Sequence, residues 1–253
     1  MQLAADSPRI KRDWGRAAKA FGAVLADTSR SDKVAELAVA LEGDTMEKYF
    51  LRFRAHPEGQ KLLREKPSLF DALKDKDKML SLPRNTLGHA YGKYMQQERL
   101  DAAFFSDITD NFVDEKGIYD EDRRYFRRRM RDSHDVWHAL TGYGADQLGE
   151  AAVLAFTIGQ NFIPGAAVLA GFAFLFAPIA FPNDRLGWQP YLIQAYQRGR
   201  NAKWLPVARI EELLEKPVSE VQRMFNVTPT PEAHPGGVYA YNFGDRRVRR
   251  VKD

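Results

Sequence analysis

The chain has 253 residues, and its 38 Lys and Arg against 34 Asp and Glu leave a net charge of +4, too mild to indicate a nucleic-acid partner by itself. It has no cysteine, which excludes disulfides, thiolate nucleophiles, iron–sulfur clusters and Cys-ligated zinc. Any bound metal must therefore use imidazole and oxygen ligands. The length fits one sizeable core, and we treat the chain as a single domain.

The N-terminal part has the apolar spacing of packing helices. Apolar residues recur at helical intervals over 14–25 and 32–41. Asp44 is predicted to cap a third helix, which ends at His56-Pro57 because the residue before a proline avoids the α region. The start, residues 1–6, lacks a basic region followed by an apolar core, so we expect no secretory signal and a cytoplasmic location.

Short helices are predicted next. A helix over 69–73 follows Lys66-Pro67-Ser68, and the charged run 74–78 is expected to be a solvated face or loop. Residues 82–86 have the composition of a turn and helix cap. The helix that follows contains Gly88, which allows a close helix approach.

The most informative motif is a cluster of potential metal ligands. In a helix that begins near 120–122, the spacing of His134, Asp135 and His138 places all three within one turn of one another. A glycine stop at Gly142 and a capping Asp146 predict a reversal into a second helix that starts just before Glu150. This helical hairpin brings together the mixed imidazole and carboxylate set that zinc, iron or manganese accept.

Other interpretations of this motif remain open. Asp135 could orient an imidazole instead of binding the metal, or form only a hydrogen-bonded pair with His138. Zinc metalloproteases share the histidine spacing but have a Glu after the first His as the base that activates water. The shorter Asp135 side chain would have to point in a different direction to do the same. A His-Asp doublet also occurs in HD-type phosphohydrolases, in which case His89 is a candidate upstream ligand.

Two arginines share the helix face of the histidines. Arg127 and Arg131 precede His134 at helical spacing and could form a fork for a substrate carboxylate or phosphate beside the metal. A solvated basic helix explains them equally well. The neighbouring arginines are expected to face solvent or pair with nearby acids; they are Arg123, Arg124, Arg128 and Arg129.

The C-terminal half is predicted to be helical up to a basic tail. The uncharged stretch 151–183 is interrupted by Gln160, Asn161 and prolines, so we expect buried core helices and not a membrane span; an apolar pocket or a face resting on a bilayer is the alternative. Further helices are predicted over 189–199, 210–214 and 218–225. The resulting fold is an all-α single-domain helical bundle over 1–228 with a metal-binding hairpin, followed by an irregular basic tail over 229–253. The tail either adds solubility or attaches to anionic lipid.

The motif resembles the signature of the family named for the fourth coenzyme Q biosynthesis protein. The specific element is His134-Asp135-Val136-Trp137-His138 followed after eleven residues by Glu150. Further similar segments extend the resemblance over about 80–227; they are Leu82-Pro83, Thr86-Leu87-Gly88, Tyr91, Leu140-Thr141-Gly142, Gly199-Arg200-Asn201-Ala202 and Glu211-Glu212.

This resemblance implies an all-helical, often dimeric protein of ubiquinone biosynthesis that associates peripherally with a membrane, here at its inner face. It implies a metal held by His134, Asp135, His138 and Glu150, with zinc favoured over iron, manganese or magnesium. Family members are linked to removal of the ring carboxylate of a prenylated hydroxybenzoate with hydroxylation at the same carbon, where Asp135, Arg127 and Arg131 would be the catalytic candidates. They are also linked to organising the other biosynthetic enzymes, so the alternative is a non-catalytic scaffold that binds polyprenyl lipid.

Overall fold

The computed structural model describes residues 3–27, 30–98, 100, 112–180 and 187–230, together with the backbone of 240–242 and 245–249. Within these residues the fold is all-α apart from one short hairpin. The helices, in chain order, are α1 (Trp14–Ala26), α2 (Ser31–Glu42), α3 (Thr45–Ala55), α4 (Pro57–Glu65), α5 (Leu69–Leu73), α6 (Lys76–Ser81), α7 (Leu87–Gln97), α8 (Glu121–Thr141), α9 (Gln147–Gln160), α10 (Pro164–Ala180), α11 (Trp188–Asn201) and α12 (Val218–Phe225). Single 3-10 turns lie at Leu205–Val207 and Ile210–Glu212.

The first helices lie where the apolar spacing predicts them, and the predicted end of the third helix at His56-Pro57 is confirmed, but its predicted cap differs. The Asp44 carboxylate does not cap α3; it accepts a hydrogen bond from the backbone N–H of Ile10 at 3.1 Å, which ties the N-terminal segment to the bundle. A further helix, α4, follows directly after His56. The His56 Nδ1 accepts from the backbone N–H of Glu58 at 3.2 Å and so caps α4, whose first residue is Pro57, the position where a helix tolerates proline.

The charged run 74–78 is solvated, as predicted: all five residues are exposed, and the run leads into α6. The Asp75 carboxylate caps this helix by accepting from the Lys78 N–H at 2.9 Å, and Met79 buries its side chain in the core. One further expectation needs correction. The predicted helix over 210–214 is instead a 3-10 turn of three residues, too short for an α-helical hydrogen-bond ladder.

The largest core cluster is built around α7, α8, α9 and α11. Helices α9 and α11 touch through backbone: a Cβ added at Gly159 would lie 2.5 Å from the carbonyl oxygen of Tyr196, and one at Gly199 would lie 2.1 Å from that of Phe156. Such contact needs glycine on both helices. It fixes the position of α9, which carries Glu150, against the rest of the bundle.

Helix α10 departs from the predicted buried core helix. Only Gly165, Ala166, Ala170 and Ala177 are buried, whereas Leu175 and Ile179 are 61 % and 75 % exposed. The uncharged stretch therefore divides into a core helix, α9, and a surface helix whose outer face is apolar. Among the described residues, no helix combines the length and the apolar character needed to cross a bilayer.

The backbone described within the predicted tail contains two strands. β1 (Ala240–Asn242) pairs antiparallel with β2 (Asp245–Arg249). The expectation of an irregular tail is therefore wrong for these eight residues, which include Tyr241 and Val248, two residue types that favour strands. The boundary at residue 228 stays a prediction.

Candidate metal centre

Helix α8 carries the two histidines. Asp120 begins it by accepting a hydrogen bond from the Arg123 N–H at 2.8 Å, and Gly142 ends it in the left-handed conformation at φ +80°, as the sequence predicts. Between these caps the helix is regular, so His134 and His138 lie one turn apart on the same face.

The return helix α9 begins at the predicted cap. The Asp146 carboxylate accepts from the backbone N–H groups of Leu148 at 3.0 Å and Gly149 at 3.2 Å. A Cβ added at Gly149 would lie 2.1 Å from the carbonyl oxygen of Gly144, so the turn can close only over a glycine. This tight turn places Glu150, in the first turn of α9, beside the histidines.

Three ligand atoms converge at the mouth of this hairpin. The two Nε2 atoms of His134 and His138 lie 3.2 Å apart, and Oε2 of Glu150 lies 3.4 Å from the first and 3.5 Å from the second. Tetrahedral zinc with bonds of about 2.0–2.1 Å separates neighbouring donor atoms by about 3.3–3.4 Å. Octahedral magnesium would bring them to about 3.0 Å. The three atoms are therefore close enough to share one metal ion.

The site is open on one side. His138 is completely buried, whereas the side chains of His134 and Glu150 are 35 % and 42 % exposed. Nδ1 of His138 lies 3.0 Å from the backbone carbonyl oxygen of Tyr143. When Nδ1 donates to this carbonyl, a neutral imidazole presents the lone pair of Nε2 to the cluster, which is the form that binds metal.

Mutual interactions set the protonation of the cluster. Burial raises the pKa of Glu150, but the two imidazoles outweigh it, and the net pKa lies far below the ordinary value of a glutamate. Burial lowers the pKa of His134, and its hydrogen bond and charge interaction with Glu150 reverse this into a net rise. The carboxylate is therefore ionised at neutral pH, as a metal ligand must be.

Asp135 does not belong to the group of mutually close ligand atoms, which among the described residues comprises His134, His138 and Glu150. The four-residue ligand set implied by the family resemblance is thus brought together only as three. Asp135 is half-buried, and burial raises the pKa of its carboxyl while the two imidazoles oppose the rise. Its charge is therefore close enough to act on the site without completing it.

Arg127 is engaged away from the cluster. Its Nη1 and Nη2 atoms donate to the two carboxylate oxygens of Glu42 at 2.8 and 2.9 Å, and its Nε donates to the carbonyl oxygen of Val113 at 2.6 Å. The guanidinium also lies over the Tyr119 ring at 4.6 Å. These contacts give Arg127 structural partners and do not support the predicted substrate fork. Arg131 contacts Asp132 through Nε at 2.7 Å and lies one turn before His134.

Two of the arginines expected to face solvent or pair with nearby acids are buried, although Arg123 does have the nearby Asp120 as one partner. Arg123 pairs with Glu47 at 2.7 Å and with Asp120, and Arg129 pairs with Glu211 at 2.5 Å. Arg124 and Arg128 pair with Glu121, as expected for exposed arginines. Among the described residues, His89 is not in the group of mutually close ligand atoms, and its Nδ1 lies 3.0 Å from the carbonyl oxygen of Leu80.

Sequence reasoning missed Tyr94, which lies against the site. Its ring stacks on the His138 imidazole with centroids 4.9 Å apart and planes at 18°. Burial, followed by the negative charges of Glu150 and Asp135, raises the pKa of this phenol. The apolar spacing of α7 places Tyr94 on the packing face but carries no signal for this contact, because Tyr94 and His138 are far apart in sequence.

Comparison with known proteins supports the resemblance. The model of the family described as "Coenzyme Q (ubiquinone) biosynthesis protein Coq4" matches residues 12–231. Ubiquinone biosynthesis protein coq-4, mitochondrial, of Neurospora crassa is 31 % identical over 221 residues, covering 82 % of this chain but only 57 % of the relative. The Yarrowia lipolytica protein COQ4, mitochondrial, is 30 % identical over 230 residues, covering 86 % of this chain and 81 % of that protein.

A solved structure has the same fold. A crystal structure of a ubiquinone biosynthesis protein from Nostoc punctiforme superposes with a TM-score of 0.63 at 21 % identity, covering 85 % of this chain and 98 % of the other. This likeness extends to nearly the whole bundle. The match to the family model over 220 residues confirms the resemblance predicted from the histidine motif: the chain belongs to the Coq4 family.

Proposed function

We propose that this chain acts in ubiquinone biosynthesis by holding one divalent cation between His134, His138 and Glu150. The observation that carries the proposal is the 3.2–3.5 Å spacing of the three ligand atoms, which matches the donor spacing of a tetrahedral zinc site. The names of the relatives support the pathway. Zinc is the favoured ion, and iron, manganese and magnesium are the alternatives that elemental analysis would distinguish.

Three protein ligands are typical of a catalytic site, because a structural zinc site has four. The half-exposed side chains of His134 and Glu150 leave an approach for a fourth oxygen from water or substrate. A bound cation would act there as a Lewis acid on a phenol or carboxylate oxygen. Burial of His138 and its bond to the Tyr143 carbonyl hold one ligand rigid, which favours a preorganised site.

The proposed substrate is a hydroxybenzoate with a polyprenyl chain, and the reaction replaces the ring carboxylate by a hydroxyl group. The carbon–carbon bond between the ring and the carboxylate breaks, and the carboxylate leaves as carbon dioxide. One atom of dioxygen becomes the new hydroxyl, which takes up one proton, and the other becomes water, which requires two electrons and two further protons. A two-electron donor or a partner enzyme of the same pathway therefore takes part in the proposed reaction.

Two side chains of α8 have proposed roles in this reaction. Arg131, one turn before His134, would bind the substrate carboxylate, since its guanidinium complements that group in charge and geometry. Asp135 would accept the phenol proton on its carboxylate, or complete the metal site as a fourth ligand. Its proximity to the charges of both imidazoles supports either role.

The test uses the purified full chain loaded with zinc or iron(II), a carboxylated prenyl-phenol, dioxygen and a two-electron donor. Release of carbon dioxide and formation of the hydroxylated product should be lost in His138→Ala and in the nearly isosteric Glu150→Gln. Glu215→Gln changes an exposed glutamate outside the site and should retain full turnover. Circular dichroism verifies that each variant is folded. Turnover that persists in folded Glu150→Gln would overturn the metal-dependent reaction.

A lipid-binding scaffold without catalysis is the second candidate. The observation that favours it is the α10 patch, defined here as Leu175, Phe176 and Ile179, which exposes apolar side chains on one face of a surface helix. The patch would rest on the surface of a membrane or bind polyprenyl lipid while the metal holds the α8–α9 hairpin. Recruitment of other ubiquinone biosynthesis proteins and homodimerisation would belong to this role. Liposome binding by protein that never turns over substrate would favour it.

A further inference from the structure

The Tyr94 side chain lies between α7 and the metal cluster. Its ring is nearly parallel to the imidazole of His138, at 18° and with 4.9 Å between centroids. His138 is in turn in edge contact with the His134 ring at 4.9 Å. Tyr94 is therefore in direct contact with the buried member of the proposed ligand set and comes from a different helix.

The hydroxyl of Tyr94 has no hydrogen-bond partner among the described residues, although the residue is only 8 % exposed. Buried hydroxyl groups are normally paired, because an unpaired one loses its bonds to water without replacement. A phenylalanine would fill nearly the same volume and stack on the same imidazole without this cost. The hydroxyl therefore lowers the stability of the folded state when it has no partner. Its presence is explained if a bound ligand accepts the hydrogen bond.

The surroundings indicate the kind of partner. The Tyr94 ring lies against His138; burial raises the pKa of its phenol, and the negative charges of Glu150 and Asp135 add to this rise. A phenol O–H donates best to an anionic or strongly polar oxygen. Hydroxybenzoates carry two such groups, the ring carboxylate and the phenol oxygen.

We propose that the Tyr94 hydroxyl is a specificity-determining hydrogen-bond donor to an oxygen of the aromatic ligand bound at the His134–His138–Glu150 site. The inference rests on the proposed function. It adds a residue on α7 to the site and explains why a polar group is retained in a buried position. It also makes Tyr94 a discriminator between oxygen-bearing aromatic ligands and plain prenyl lipids.

The experiment compares wild type with Tyr94→Phe, and with Tyr196→Phe as a control that removes a more exposed tyrosine hydroxyl on α11. Each full-length protein is loaded with cobalt(II), and its visible spectrum is titrated with 4-hydroxybenzoate carrying a short prenyl chain. Thermal unfolding of each protein is measured in parallel. Tyr94→Phe should bind cobalt as wild type does, unfold at the same or a higher temperature, and bind the hydroxybenzoate about tenfold more weakly.

The possible outcomes distinguish a failure of this inference from a failure of the metal site. If wild type takes up cobalt but Tyr94→Phe and wild type bind the hydroxybenzoate equally, or neither binds it, the inference is wrong and the metal site stands. If Tyr94→Phe unfolds at a much lower temperature, the hydroxyl has a structural partner and the inference is also wrong. If wild type takes up no cobalt and no zinc, the proposed function fails and this inference fails with it.

Discussion

The Nδ1 atom of His138 lies 3.0 Å from the backbone carbonyl oxygen of Tyr143, in the turn that joins α8 to α9. The Tyr143 hydroxyl in turn accepts a hydrogen bond from Arg198 of α11 at 2.8 Å. The imidazole is therefore oriented by the same turn that positions Glu150. Metal binding and closure of this turn should depend on each other.

Gly142→Ala should weaken both stability and metal binding. Gly142 has φ +80°, where a Cβ is disfavoured by about 1–2 kcal/mol, and relief of that strain would move the adjacent Tyr143 carbonyl away from His138. Gly117→Ala is the matched control, since Gly117 has φ +61°, a Cβ there would meet nothing within 4 Å, and it is far from the cluster in sequence. Zinc titration and thermal unfolding of both variants should show a stability loss in each but weaker zinc binding only in Gly142→Ala. Equal zinc affinity in the two would contradict the coupling.

Gly149→Ala should displace Glu150. A Cβ at this position would lie 2.1 Å from the Gly144 carbonyl oxygen, so the start of α9 has to shift, at a cost of about 1–3 kcal/mol. Gly171→Ala on α10 is the control: a Cβ there meets nothing within 4 Å, and helix propensity favours alanine by about 0.5–1 kcal/mol. The predicted result is loss of stoichiometric metal and lower stability in the first variant and equal or higher stability in the second. Full metal content in folded Gly149→Ala would argue against the site.

Zinc should stabilise the wild-type protein and a chelator should reverse the effect. A ligand at about 100 times its dissociation constant adds about 2.7 kcal/mol to the free energy of unfolding when it binds only the folded state. Glu150→Gln removes one of the three ligands and should abolish this increase, whereas Glu215→Gln should retain it. Scanning calorimetry with and without added zinc provides the measurement. A zinc-induced shift of equal size in Glu150→Gln would place the ion elsewhere.

Glu42→Gln should reduce stability but not zinc affinity. The Arg127–Glu42 pair is largely buried, with 10 % and 5 % of the side chains exposed, so removing the carboxylate charge leaves a buried guanidinium uncompensated, at a cost of about 3–5 kcal/mol. Lys61→Met breaks the exposed Lys61–Glu58 pair and should cost about 0–1 kcal/mol. Denaturant unfolding compares the two variants. A loss of ligand binding without a loss of stability in Glu42→Gln would restore the substrate role predicted for Arg127.

Leu175→Gln with Ile179→Gln should reduce binding to anionic liposomes without lowering stability. Both side chains are exposed, so their replacement removes little buried area, while each lost apolar contact weakens insertion into the lipid interface. Ile118→Gln is the control, because Ile118 is also exposed but lies outside α10. Sedimentation with liposomes is the measurement. Unchanged binding would show that the α10 patch does not contribute to membrane binding.

Most of the helices, and the convergence of His134, His138 and Glu150, could be predicted from local patterns. Helix periodicity, the Gly142 stop and the Asp146 cap act within a few residues, so the hairpin that joins His134 and His138 to Glu150 is encoded in one short segment. The same local reasoning failed for 210–214, where apolar spacing predicts a helix but the structure has a 3-10 turn of three residues.

What the sequence by itself determined is therefore the all-α class, the ligand spacing and the turn that closes it, because each depends on neighbours along the chain. Only the tertiary structure decided that Arg127 faces Glu42, that Asp135 stands outside the ligand group, that α10 lies at the surface and that Tyr94 covers His138. These outcomes depend on which side chains from distant segments arrive at the same place, and burial and charge pairing at that place then determine the role of each residue.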